Sequence, residues 1–150
     1  MGDTTSAFAT QLVKETTACG KLLQKRIQAD AVLEKLGPPM LKTSEDLQEH
    51  VRIHGEELRE DDVVGRELTR QFDEQVEQFS KVQLEQQIAV EQLRTVSKKL
   101  KDTITAFEKY VVAKEKSKNP FKGKKSVPMA KVYIANAKNF MSMVEEMLEV

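Results

Sequence analysis

Tryptophan is absent from this sequence, and phenylalanine and tyrosine together reach only 5% of its 150 residues. A thick globular core needs more large side chains than that, whereas a thin helical seam does not. The single cysteine, Cys19, excludes an internal disulfide and points to a reducing compartment. It stands on the apolar side of the first expected helix and reads as a small core residue. No apolar run approaches the ~20 residues of a membrane span, and no hydrophobic signal-peptide core follows the start. Glycine-rich phosphate loops, GxSxG, CxxC and HExxH are all missing, so the reading is non-enzymatic, with no cofactor. Proline is missing from Met40 through Asn119.

That last absence frames what is present. From Thr43 to Lys118 a heptad runs almost without interruption. One position is Val51, Leu58, Gly65, Phe72, Phe79, Gln86, Leu93, Leu100 and Phe107; the other is Leu47, His54, Asp61, Leu68, Gln75, Val82, Ala89, Val96, Thr103 and Tyr110. Thirteen of these nineteen positions are aliphatic, aromatic or alanine. At ~1.5 Å per residue such a helix would approach ~110 Å, a length suited to a spacer, dimer or scaffold. The expected fold is all-α: an elongated antiparallel three-helix coiled coil with one very long central helix, forming a single domain over residues 1–150.

The helices are expected at about 5–36, 44–116 and 127–149. Gly37-Pro38-Pro39 should end the first, and Thr43 or Ser44 should cap the second. A kink is expected between Glu60 and Gly65, where aspartates, valines and a glycine fall together. Ser126 should cap the third helix, which stays amphipathic to the terminus. His50, His54 and Glu57 share a helical face with metal-ligand spacing, but long helices produce such trios freely, so no metal is assigned.

Net charge is zero, yet the charges are segregated. Glu45 to Glu77 holds twelve acids against four arginines, a balance of −8; Arg94 to Lys131 holds twelve bases against three acids, a balance of +9. The long helix also carries apolar residues off its seam: Val63, Val64, Val76, Leu84, Ile88, Val90, Ile104, Val111 and Val112. An antiparallel homodimer centred on the middle of this helix, with Phe72, Phe79, Val82, Leu84 and Ile88 at its interface, would cover them and set the two charge blocks against each other.

Lys114, Lys116, Lys118, Lys122, Lys124 and Lys125 crowd the segment between the second and third helices, with Phe121 in its middle. Lysines around an exposed ring suit an anionic membrane surface, at ~1 kcal/mol per lysine, with the ring inserting at the interface. Single-stranded nucleic acid uses similar features and is the less favoured partner. Asn119-Pro120-Phe121 also resembles the NPF peptide read by EH domains, and Met1-Gly2-Asp3-Thr4-Thr5-Ser6 fits the loose N-myristoylation pattern.

The order of elements is a helix with Ala18-Cys19-Gly20-Lys21-Leu22-Leu23, then a longer one opening Asp46-Leu47-Gln48-Glu49-His50-Val51-Arg52-Ile53-His54. A basic tip from Ser117 to Ser126 and a third helix follow. This pattern resembles the BAR-domain superfamily, whose members form antiparallel dimers of three-helix coiled coils on curved anionic membranes. The third helix is shorter than that family's. The resemblance implies a dimeric, peripherally membrane-bound cytoplasmic scaffold whose lipid contacts are the tip lysines, joined by Lys98, Lys99, Lys101 and Lys109. The alternative reading is a cytosolic coiled-coil assembly subunit that binds other proteins.

Overall fold

The computed structural model describes residues 2–55, 62–117 and 126–149. Among them are three helices and no strand: α1 (Gly2–His54), α2 (Val63–Lys116) and α3 (Val127–Glu149). The all-α class expected from the heptad holds.

Two helix boundaries do not. The first helix was expected to stop at Leu36, but α1 passes through Pro38 and Pro39 and continues to His54. Two prolines remove only the N–H groups that Glu34 and Lys35 would have bonded. Gly37, lacking a Cβ, also relieves the usual clash with the following proline ring. Leu33, Leu36, Met40, Leu47 and Val51 carry a half-buried stripe across the site, and that burial outweighs the local cost. Thr43 Oγ1 donates to the Pro39 carbonyl at 3.0 Å, placing a side-chain bond one turn beyond the prolines.

The single helix expected over 44–116 is replaced by the end of α1 at His54 and the start of α2 at Val63. Gly55 adopts φ 93°, and its N–H bonds the Val51 carbonyl at 2.7 Å. This is a left-handed glycine closing a helix C-terminus. Asp62 opens α2 on the other side: its carboxylate accepts from the Gly65 N–H at 2.9 Å, the geometry of an N-cap. The same carboxylate accepts from His50 Nε2, at 2.8 Å and 3.0 Å to its two oxygens. Of the expected kink at Glu60 to Gly65, Glu60 and Asp61 lie outside the described residues; Gly55 ends α1 and Asp62 caps α2.

The chain divides into two compact units, Met1–Gln24 with Ala89–Val150, and Lys25–Ile88. The first is a three-helix unit. Its core takes Leu12, Cys19 and Leu23 from α1, Leu93, Leu100, Ile104, Phe107 and Val111 from α2, and Ala130, Ile134, Ala137, Met141 and Val144 from α3. Each set recurs every three, four or seven residues, as one face of a helix requires. Phe8 stacks on Phe107 with ring centroids 4.8 Å apart. Opposite chain directions for α2 and α3 follow from three ion pairs: Glu115 with Lys131, Glu108 with Lys138 and Lys101 with Glu145. Thr5 and Ser126 bond through their hydroxyls at 3.2 Å, which brings the start of α3 beside the start of α1.

The second unit is a helical hairpin with little interior. Among its described residues Ala29 is the only buried apolar one, while Leu68, Phe72, Phe79 and Val82 are half-buried. Ile27, Val32, Leu41, Ile53, Val63, Val64, Val76, Leu84 and Ile88 are exposed. Gln86 donates to Asp30 across the hairpin.

Two measurements test this account. Phe107→Ala empties a fully buried site and should cost about 3–5 kcal/mol in urea denaturation of the full chain, and Phe79→Ala distinctly less, because its site is already half open; equal losses would contradict the uneven core. The second concerns pH. The His50 ring N–H, followed by the Gly65 N–H, holds the Asp62 carboxyl below its ordinary value. A depressed acid stabilises the fold above its unfolded pKa of about 4 and loses that contribution as pH falls through its folded value. Thermal stability should therefore fall on acidification below about pH 4, and Asp62→Ala should make that fall shallower. Arg pairs lower Glu49 and Glu67 as well, so some slope remains in the variant. Identical slopes in the two proteins would refute the role of Asp62.

Candidate functional site: the basic face of the three-helix unit

The lysine-rich segment between α2 and α3 belongs to the three-helix unit. Lys118, Phe121, Lys122, Lys124 and Lys125 lie outside the described residues. The helices that flank them are described. Lys114 is half-buried, with Nζ 5.5 Å from the centroid of the Tyr110 ring, a cation–π contact that holds its stem along the helix. Lys116 is exposed in the last turn of α2, where cations suit the negative end of the helix dipole. The N–H of Ser117 bonds the Lys114 carbonyl at 3.2 Å and tightens that turn.

Among the described residues of α2 and α3, two sets of basic residues stand apart. Lys101, Lys131 and Lys138 each reach a glutamate on the facing helix at 3.7, 2.5 and 2.8 Å respectively. They tie α2 to α3. Arg94, Lys98, Lys99, Lys109 and Lys116 are exposed, with Lys99 about 100° around the helix from Lys98. Lys98 and Lys116 are eighteen residues apart, which is about five turns at 3.6 residues per turn, and Lys109 lies close to the same line. Arg94 is one turn before Lys98. The result is a basic stripe on the outer side of α2, opposite the buried Leu100, Ile104, Phe107 and Val111. Charge counts alone do not separate lysines bonded across to the facing helix, Lys101 among them, from those facing water.

The grooves of this unit are open and shallow. One between α1 and α3 is lined by Ala9, Val13, Met129, Tyr133 and hydroxyl residues, with no charged group. Another between α2 and α3 contains the Glu108, Glu115, Lys131 and Lys138 ion pairs. Glu15 is buried, with Oε1 accepting from Gln11 at 2.7 Å and Thr103 at 2.9 Å and Oε2 without a partner. Burial, with Glu15 adding to it, pushes the Cys19 thiol up, so its environment is that of an inert core thiol.

The structure separates the other sequence-derived candidates. His50 is turned to Asp62, and the His54 ring lies against it at 4.5 Å; Glu57 is outside the described residues. Among the described residues, no group of three histidine, cysteine or acidic side chains is arranged to hold a metal ion. Of the expected dimer contacts, Phe72, Phe79 and Val82 are half-buried in the hairpin, whereas Leu84 and Ile88 are 57% and 49% exposed. Among the described residues no helix is long and apolar enough to cross a membrane. Comparison with known proteins adds nothing to this geometry: no family model, no curated protein and no solved structure matches the chain.

Proposed function

We propose that this chain is a non-enzymatic, BAR-like helical scaffold, an antiparallel coiled coil that docks on anionic membrane surfaces through the basic end of its three-helix unit. The observation that carries the reading is the outward stripe Arg94, Lys98, Lys109 and Lys116, which leads along α2 into the lysine-rich segment around Phe121. The ion pairs of Lys101, Lys131 and Lys138 support it, because they hold α2 and α3 together where the segment is anchored and leave the stripe on the outside. Head-group phosphates would meet the lysines, and the Phe121 ring would add an apolar contact. A second reading, a coiled-coil subunit that assembles with other proteins, is favoured by the nine exposed large apolar residues among the described residues of the hairpin unit.

Co-sedimentation with phosphatidylserine vesicles tests the first reading. Replacing Lys118, Lys122, Lys124 and Lys125 by Glu should lower affinity by about three orders of magnitude, at ~1 kcal/mol for each lysine lost, with helicity unchanged by circular dichroism. Phe121→Ala should weaken binding more noticeably at high salt, where the charge attraction is screened and the apolar contact is not. Wild-type protein that stays in the supernatant at low salt would rule the membrane reading out.

A further inference from the structure

Glu15 is 7% exposed, and the two oxygens of its carboxylate differ. Oε1 accepts from Gln11 Nε2 at 2.7 Å and from Thr103 Oγ1 at 2.9 Å, whereas Oε2 is buried with no partner among the described residues. A carboxylate oxygen that has left water without meeting a donor destabilises the fold, so its presence calls for a compensating ligand or role. Gln11 and Thr103 also line an open groove of about 490 Å³ between α1 and α2, within the size range of small-molecule sites. Its apolar wall is Ala7, Phe8 and Ala106, and Asp102 is its charged lining group. Glu15 follows Gln11 by one turn of α1 and lies at the inner end of the groove, behind the two side chains that bond it.

The hydrogen inventory decides what such a groove accepts. Thr103 has a single hydroxyl hydrogen and gives it to Glu15, so its oxygen presents lone pairs. Asp102 is exposed and offers acceptors alone. Gln11 is exposed as well, and its long side chain regains rotamer freedom when its amide turns out to water. We propose that the groove binds the ammonium group of a small aliphatic amine, which takes the place of the Gln11 amide at Glu15. An ammonium carries three hydrogens, and the Glu15 carboxylate, Thr103 Oγ1 and the Asp102 carboxylate supply three acceptors. Bonds from a charged donor to a carboxylate are about twice as strong as those from a neutral one, which favours the ammonium over the amide. The alkyl stem lies on Ala7, Phe8 and Ala106 and removes them from water. Glu15 belongs to α1, and Asp102 and Thr103 to α2, so the bound amine ties the two helices together. A metal ion is the poorer match, since no group of three histidine, cysteine or acidic side chains among the described residues is arranged to hold one. The site is independent of the membrane reading.

Calorimetric titration of the full chain with n-butylamine hydrochloride at neutral pH, where the amine is charged, tests the site against a blank of equal sodium chloride. One amine should bind per chain, in the millimolar range. n-Butyltrimethylammonium has no hydrogen to donate and should bind about tenfold more weakly. Glu15→Gln keeps the size of the side chain and removes its charge; it should weaken butylamine binding about tenfold, and Asp102→Asn about threefold. Gln11→Ala removes the competing amide and should strengthen binding about threefold. Gln11 and Asp102 are exposed, so their variants keep the test standing if circular dichroism shows that Glu15→Gln does not fold. Heats no larger than the sodium chloride blank overturn the proposal. So do equal affinities for the two amines, unchanged affinity in a helical Glu15→Gln variant, or a Gln11→Ala variant that binds no more tightly than the wild type.

Discussion

How many helices surround each apolar seam decides most of what this chain does. Where α3 is present, the seam of α2 meets a second and a third surface, and Leu93, Leu100 and Phe107 reach complete burial. Where it is absent, the same heptad continues through Phe72, Phe79 and Val82, but two helices leave those side chains half in water. A two-helix layer has no closed interior. At roughly 25 cal/mol per Å² of apolar area removed from water, the difference between half and full burial of a large side chain is on the order of 1 kcal/mol. Repeated along a hairpin, that difference separates a unit with its own stability from one that gains by being covered.

Burial and charge are distributed in opposite senses. The three-helix unit has the closed core and the excess of bases; the hairpin has the open seam and the excess of acids. Exposed ion pairs within the hairpin, such as Arg52 with Glu49 and Arg70 with Glu74 at 2.8 Å, use its few cations locally and contribute little to stability. Acidic side chains therefore predominate on its surface. In the three-helix unit, glutamates on the facing helix hold three lysines, and the outward stripe on α2 stays exposed.

The sequence made the helical class, the line Leu93, Leu100 and Phe107 and the position of α3 readable, because apolar spacing encodes them. Ile104 and Val111 fall off that heptad, yet both are buried in the core, since α1 and α3 together cover a wider face of α2 than a two-line seam. It misled at Gly37-Pro38-Pro39 and at residues 55 to 62. Proline is a strong local signal, yet its cost is limited to a few backbone bonds, while the stripe Leu33, Leu36, Met40, Leu47 and Val51 acts over five turns. Gly55 carried no weight in the periodic pattern, although its left-handed backbone ends α1. Asp62 was legible as part of an acidic cluster, but not as the residue that caps α2 while holding His50, since that pairing joins residues twelve apart in the chain. The division of the lysines into bonded and outward sets also depends on tertiary placement. No periodicity reveals which glutamate a lysine will reach.

Cys19 has no accessible surface, and it lies among the residues that close the three-helix core. Its thiolate is disfavoured by the surrounding apolar side chains and by Glu15. A thiol reagent in solution meets it only when α1 lifts away from α2 and α3, so its modification rate records how often that unit opens. Because the sequence has one cysteine, the record is free of interference from any other site. The chain therefore carries an intrinsic clock for the breathing of one of its two units and none for the other.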